Sequence, residues 1–528
     1  MPRAAADPGR LFDDALRAHR AGRLDHAARL YRRLLAADPQ HWDSLHLLGV
    51  IAQQSGRPAD ALGFITQAIA GNGKVALYHC NRGVALAALG RFEEAAASYR
   101  AALALDPQSA EAFYNLGNAL GELGRLADAA AAYREALALR PDYWQALTRL
   151  GTVLQEQRQT EAAVECFRRA IALQPNVAHL HANLAGALRE QGKFAESASA
   201  CRVALALDPD LPAAHYHLAM ALLPLGEFAA GWAEYEWRWH LPELRPFRRN
   251  FPQPQWQGEP AAGRTLLLHA EQGYGDTLQF CRYALPAAAA GLRVILAVPP
   301  PLVRLLRTLP RVAKVVALGE RLPAFDLHCP LLSLPLAMRT TLATIPSAVA
   351  YLRADADDAA AIGARLAGLL GPGLRVGVAG AGNPRRHARM ASATDRRRSI
   401  DPELLAPLFA VAGVQFVSLQ KDGPAAPAHL PLLDLMPQMQ DFADTAALIA
   451  NLDLVIAVDT AVVHLAAALG KPVWLLDRHD PCWRWLLGRR DSPWYPTLRI
   501  YRQPSPGDWA RVLAEAAQDL RRRAGHSA

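Results

Sequence analysis

The chain has 528 residues, 52% hydrophobic and 20% charged, a length that suggests about three or four folding units with sizeable cores. Its formal charge of +8 is weak support for an anionic partner, because only five lysines accompany the many arginines, the runs RRHAR and RRR are short, and no nucleic-acid reading motif is present. Six cysteines lie far apart without C-x-x-C or metal-ligand spacing, no run of about 18 uncharged apolar residues occurs, and MPRAAADPGR lacks the apolar core of a signal peptide. A disulfide framework, a zinc site and a transmembrane segment are therefore not expected, and a cytoplasmic protein with buried thiols is.

The N-terminal half is periodic. Pro39, Pro107, Pro141, Pro175 and Pro209 fall on one 34-residue grid, with Gly73 at the vacant place. Ala27, Ala61, Ala95, Ala129 and Ala163, continued by Ser197, form a second register, and Gly49, Gly83, Gly117 and Gly151, continued by Ala185 and Ala219, a third. Small residues where two helices meet, with a proline where the second helix stops, resemble the tetratricopeptide repeat. Units are expected at 8–41, 42–75, 76–109, 110–143, 144–177 and 178–211, and a partial seventh from 212 runs into GWAEYEWRW. The solenoid of about six and a half repeats then spans 8–240. Aromatics at one second-helix position, Tyr31, Tyr99, Tyr133, Phe167 and Tyr235, are expected to pack between neighbouring units. Asn81, Asn115 and Asn183 repeat on the same grid, where side-chain amides can match a peptide backbone irrespective of its sequence. This ladder, broken at Leu47, Arg149 and His217, resembles that of the protein O-GlcNAc transferases and implies a protein or peptide partner.

Residues 241–262 carry five prolines and no regular period, which predicts a connector. Strands are then expected at TLLLHA (265–270), RVILAVP (293–299) and VAKVVAL, with helices between them, and a second set at RVGVAGAGNP, VQFVSLQ, LVIAVD and PVWLLD. Such alternation predicts α/β architecture with parallel sheets, in two Rossmann-like halves at 263–345 and 346–528. Ligands of open α/β sheets bind outside the carboxyl ends of the strands, so the cleft between the halves is the expected site.

Within that region, LVIAVDTAVVHLAAALGKPVWLLD (454–477) resembles the D-T-G-x-x-H-L-A-A-x-L-G-x-P signature of the heptosyltransferase-like glycosyltransferases, which have the two-domain GT-B fold; Ala461 stands where the glycine is usual. The resemblance implies a metal-independent, inverting transfer from a nucleotide sugar used as co-substrate, without a bound cofactor. Asp459, Thr460 and His464 are then donor-binding, a role that a helix start beside a strand end also suits. EQGYGDTLQF (271–280) resembles the same family's G-D turn, which makes Asp276 the candidate general base and Gly275 a donor-side residue, with Glu271 and His269 in reserve. In the basic loop 382–400 Arg398 is the best match for a cation that meets the donor diphosphate, and Gln420 and Lys421 after VQFVSLQ are placed to reach its base or ribose. Three functions remain open from the residues: transfer to a protein or peptide presented by the repeats, transfer to lipopolysaccharide or another glycan, and a scaffold whose transferase half has decayed.

Overall fold

The computed structural model describes residues 7–382, 395–421 and 427–525. Two compact units divide the chain, Met1–Ala187 and Leu188–Ala528. In the first, the 34-residue grid becomes paired helices: Pro8–Arg20 with Leu24–Ala37, Trp42–Gln54 with Pro58–Gly71, Ala76–Ala88 with Phe92–Leu105, Ala110–Glu122 with Leu126–Leu139, and Trp144–Glu156 with Thr160–Leu173.

Two glycine registers close each pair for different reasons. Gly56, Gly90 and Gly124 turn the chain between helices at φ near +72° with open space around them, so only their backbone conformation matters. Arg158 holds the same place at φ +66°, where a side chain costs roughly 1–2 kcal/mol. Gly49, Gly83, Gly117 and Gly151 instead leave room: a Cβ on them would lie 2.5–2.7 Å from Ile65, Tyr99, Tyr133 and Phe167. Tyr99, Tyr133 and Phe167 thus make a tight contact inside their own helix pair, with the backbone sixteen residues earlier, while Tyr31 shares a core with Leu48 and Ile51 of the next unit. The bare glycine backbone is reached by the ring of its own hairpin partner, which fixes the pairing.

The second unit begins in repeats. Phe194–Leu207 is followed by a seventh pair, shortened to Pro212–Leu222 and Phe228–Tyr235, and by a 3-10 turn at Glu236–His240. Two wholly parallel sheets follow. The first has strands β1 (Thr265–His269), β2 (Arg293–Val298), β3 (Val312–Ala317) and β4 (Leu327–Pro330), in the order β3-β2-β1-β4. The second has β5 (Leu374–Ala379), β6 (Val414–Ser418), β7 (Leu432–Leu433), β8 (Leu454–Val458), β9 (Val473–Asp477) and β10 (Leu498–Arg502), in the order β10-β9-β8-β5-β6-β7. The strands β8 and β9 are buried along their whole length, which is why they read as unbroken apolar runs. Strands β4, β7 and β10 add to the expected set: LHCP and LL are too short to show a period, and LRIYR is interrupted by arginine.

One apolar core joins the last repeat to both sheets. Trp232 meets Trp483 edge-on at 4.9 Å and Phe280 at 6.4 Å, and Phe280 meets Trp494 at 5.8 Å. Beside it the fully buried Arg238 donates to both oxygens of Glu271, at 3.0 and 3.2 Å, and to Ser333 Oγ at 2.7 Å. The residues at 241–262 are ordered against this unit. Trp256 is buried and its N–H donates to the His328 carbonyl at 2.8 Å, while the His328 N–H donates to that of Pro254 at 3.2 Å, extending the sheet past β4. Phe251, with Leu318, Leu322 and Phe325 of the β3–β4 crossover, packs against the face formed by Leu267, Ile295, Ala297 and Val316.

Two substitutions separate the glycine registers. Gly117→Val forces Tyr133 aside and is expected to lower stability by about 1–3 kcal/mol, whereas Arg158→Gly relieves a left-handed side chain and is expected to raise it by about 1 kcal/mol. Thermal unfolding of the full chain followed by circular dichroism reads both, and an unchanged first transition in the valine variant would contradict the packing described.

Candidate active site

At the carboxyl end of β1 the chain turns through Glu271–Gly273 into the helix Tyr274–Phe280. Asp276, in the first turn of that helix, reaches back so that its Oδ2 accepts the Gly273 N–H at 2.9 Å. Its Oδ1 accepts from Arg484 Nη2. Arg484, on the loop after β9, is itself fixed: Nε donates to Gln279 Oε1 at 2.6 Å, Nη1 to Cys482 Sγ at 3.0 Å, and the guanidinium lies 4.1 Å over the Trp483 ring. The two sheets therefore meet through a charge pair at the expected base. Gly275 lies between them, since a Cβ there would stand 2.8 Å from His464 Cδ2.

The other wall is the carboxyl end of β8. The chain leaves the strand at Asp459, and Thr460 is the N-cap of the helix Ala461–Ala468. The Thr460 hydroxyl makes no capping bond, and its oxygen is buried without a partner. A buried unpaired hydroxyl at a helix start is costly unless something else satisfies it. His464, one turn on, is buried, stacks on Trp485 at 5.4 Å and shares a hydrogen bond of 2.9 Å with the Tyr495 hydroxyl. Burial, followed by the charges of Arg484, Arg282 and Arg398, holds its pKa well below the ordinary histidine value, so the ring is neutral. Its Nε2 stands 3.9 Å from Asp459 Oδ1. On the neighbouring strand, Asp477 accepts from Arg502 at 2.8 Å through one oxygen and leaves the other buried and unpaired; burial pushes its carboxyl up to about 6. Arg478 Nη1 and Gln503 Nε2 are likewise buried without partners. The carboxyl ends of β8, β9 and β10 thus each carry buried polar atoms without partners.

The remaining expected donor residues are engaged within the chain. Arg398 donates to the Asp459 carbonyl at 2.6 Å and pairs with Asp395 at 3.0 Å, a bridge for which Gly382 leaves space. It braces the Asp459–Thr460 turn. Gln420 Oε1 accepts the Ala381 N–H at 2.9 Å, and Lys421 Nζ donates to the Met439 carbonyl. Arg385, Arg386 and Arg389 of the basic loop lie outside the described residues. Of the reserve bases, Glu271 is locked in the Arg238 bridge, where burial raises its carboxyl to about 7 against the pull of that arginine. His269 faces a separate cavity. Among the described residues no three His, Cys, Asp or Glu side chains converge as a metal-ligand group.

In the repeats, Asn81 Nδ2 is 2.7 Å from His46 Nε2, so that amide has a partner inside the solenoid; Asn81, Asn115 and Asn183 are all half-buried. Sequence reading missed Arg484, which lies 208 positions from its partner Asp276. The signal available was an arginine flanked by tryptophans in CWRW, a composition that favours a stacked, buried guanidinium. It also missed Arg397, which meets Glu190 at 3.0 Å and Asp480 at 3.5 Å and so ties the sixth repeat to the loop after β9.

Tetratricopeptide-repeat models match residues 12–75 and 148–212, 83–124 and 110–143. The glycosyltransferase family 9 (heptosyltransferase) model matches 424–476, the stretch that contains Asp459, Thr460 and His464. Protein FlbA of Caulobacter vibrioides is 29% identical over 320 residues, which cover 55% of this chain and 52% of that protein. The chain thus spans about half the length of this curated relative. The solved structure of pilF from Pseudomonas aeruginosa is similar over 40% of this chain and 96% of its own, with 20% identity and a TM-score of 0.37. YrrB, a repeat protein described as having an unusual peptide-binding site, is similar over 33% of this chain and 89% of its own, at 24% identity and a TM-score of 0.30. The N-terminal region is built of tetratricopeptide repeats, and the α/β region that follows carries a glycosyltransferase family 9 (heptosyltransferase) segment.

Proposed function

We propose that the α/β region moves a sugar from a nucleotide-sugar donor to an acceptor hydroxyl, with inversion, and that the repeats present a protein or peptide as the acceptor. The observation that carries the reading is the juxtaposition of Asp276 with the Asp459–His464 turn, across a contact that Gly275 alone permits. The donor diphosphate lies at the start of the helix Ala461–Ala468, where backbone N–H groups and the unpaired Thr460 hydroxyl receive it. His464, neutral and fixed by Tyr495, supports that turn without adding charge.

In the step itself the acceptor oxygen attacks the anomeric carbon while its proton passes to Asp276. The bond from that carbon to the diphosphate breaks, and its electron pair leaves on the diphosphate oxygen. Arg484 orients the Asp276 carboxylate and places a positive charge beside the cleft as the leaving group gains negative charge. No metal is assigned a part in this reading. Six cysteines without disulfides suit a reducing compartment.

Incubation with a panel of nucleotide sugars, with and without lysate protein, followed by nucleotide release and mass shift, tests the proposal. Release with at least one donor is expected, and Asp276→Asn should slow it by about 10²–10⁴-fold while donor affinity stays within twofold or so. Turnover retained in that variant excludes Asp276 as base; donor binding with no turnover in the native chain indicates a scaffold. Thr460→Val should weaken donor binding by about 0.5–1.5 kcal/mol in calorimetry, and an unaltered affinity would place the diphosphate elsewhere.

A further inference from the structure

Apart from the cleft, the first sheet carries a second cavity of about 260 Å³ at the carboxyl ends of β1 and β4. Arg248, Arg249, Asn250, Gln253, His269 and His328 line it, and among the described residues no carboxylate does. Two of its polar atoms are buried and unpaired, Nδ1 of His269, a residue only 1% exposed, and Oε1 of Gln253. The second nitrogen of His269 stands 3.3 Å from His328 Nδ1, and Phe251 closes over both rings at 5.5 and 5.0 Å. Burial, with the neighbouring His328 and Arg249, lowers the His269 pKa to about 3, so its ring is neutral and the positive charge of the cavity comes from the arginines.

Neither Arg248 nor Arg249 is held by a carboxylate among the described residues. A recess with two unneutralised guanidinium groups, amides and imidazole nitrogens, and no acid, selects for an anion, because the arginine forks match planar or tetrahedral oxyanions. Arg249 also lines an adjoining recess with Glu271 and Gln272, which lead directly into the turn that carries Asp276. We infer that this cavity binds an anionic group, a phosphate or a carboxylate, of the acceptor. The binding of the anion stands on the cavity itself; its assignment to the acceptor rests on the transferase reading.

The full chain, held in saturating nucleoside diphosphate so that the donor cleft is filled, is titrated by calorimetry with inorganic phosphate, a short phosphoserine peptide, a short glutamate peptide and, as uncharged control, the corresponding serine peptide. Saturable binding of phosphate or of at least one acidic peptide is expected, with none for the serine peptide, and the preferred acid identifies the source of the charge. The double variant Arg248→Ala/Arg249→Ala should weaken this binding by about tenfold or more, whereas Asp276→Asn should leave it unchanged. Arg248 is exposed and Arg249 half-buried, so an unchanged melting temperature verifies that the variant folds. Absence of saturable binding by any of the anions, or binding that survives the double variant, overturns the inference. Nucleotide release with no anion bound overturns the cavity alone, and anion binding without nucleotide release overturns its link to the acceptor while leaving the site.

Discussion

Everything at the cleft depends on how closely two helix starts approach. The helices Tyr274–Phe280 and Ala461–Ala468 belong to different sheets, and the absence of a side chain at Gly275 lets the ring of His464 lie against the backbone of the first. That approach brings Arg484 to Asp276 and sets the unpaired Thr460 hydroxyl beside the same space. A methyl group at position 275 would drive the two walls apart and pull Arg484 away from Asp276, and a buried guanidinium without its carboxylate is strongly unfavourable.

The approach is held from behind by an aromatic group contributed by three parts of the unit: Trp232 from the last repeat pair, Phe280 after β1, and Trp483 and Trp494 around β9 and β10. Aromatic edges and faces fix relative angles as well as distance. Arg282 adds a polar clamp to this core, donating to the carbonyls of Trp494 at 2.6 Å and Pro346 at 3.1 Å and to the Tyr351 hydroxyl at 3.0 Å. The last repeats are thus part of the transferase-like fold's own core, while the repeats before Ala187 form a body of their own.

Much of this was legible in the residues, and the limits have physical causes. A 34-residue spacing of proline, alanine and glycine fixes where helices pair, because each register answers to a steric demand that recurs in every unit. Strands β1, β2, β5, β6, β8 and β9 announce themselves as apolar runs bounded by turns, whereas β4 and β7 are too short to do so. At the cleft, the Asp459–His464 turn and Asp276 are visible because helix starts and glycine turns are local. What a side chain bonds to is not local: that Arg484 meets Asp276, that Gln420 and Lys421 hold backbone groups, and that Asn81 is taken by His46 all depend on chain folded back from tens or hundreds of positions away.

The connector's hydrogen bonds to His328 have a meaning for the protein's behaviour in a crowded solution. β4 would otherwise present an open row of backbone donors and acceptors at the margin of its sheet, the kind of border through which chains add to one another and aggregate. The stretch from Phe251 to Trp256 occupies that border beside His328, and Pro252 and Pro254 contribute no N–H of their own to a further strand. A segment that reads as a spacer between two domains therefore acts as a selvedge along the β4 side of the sheet, filling the border that another chain would otherwise join.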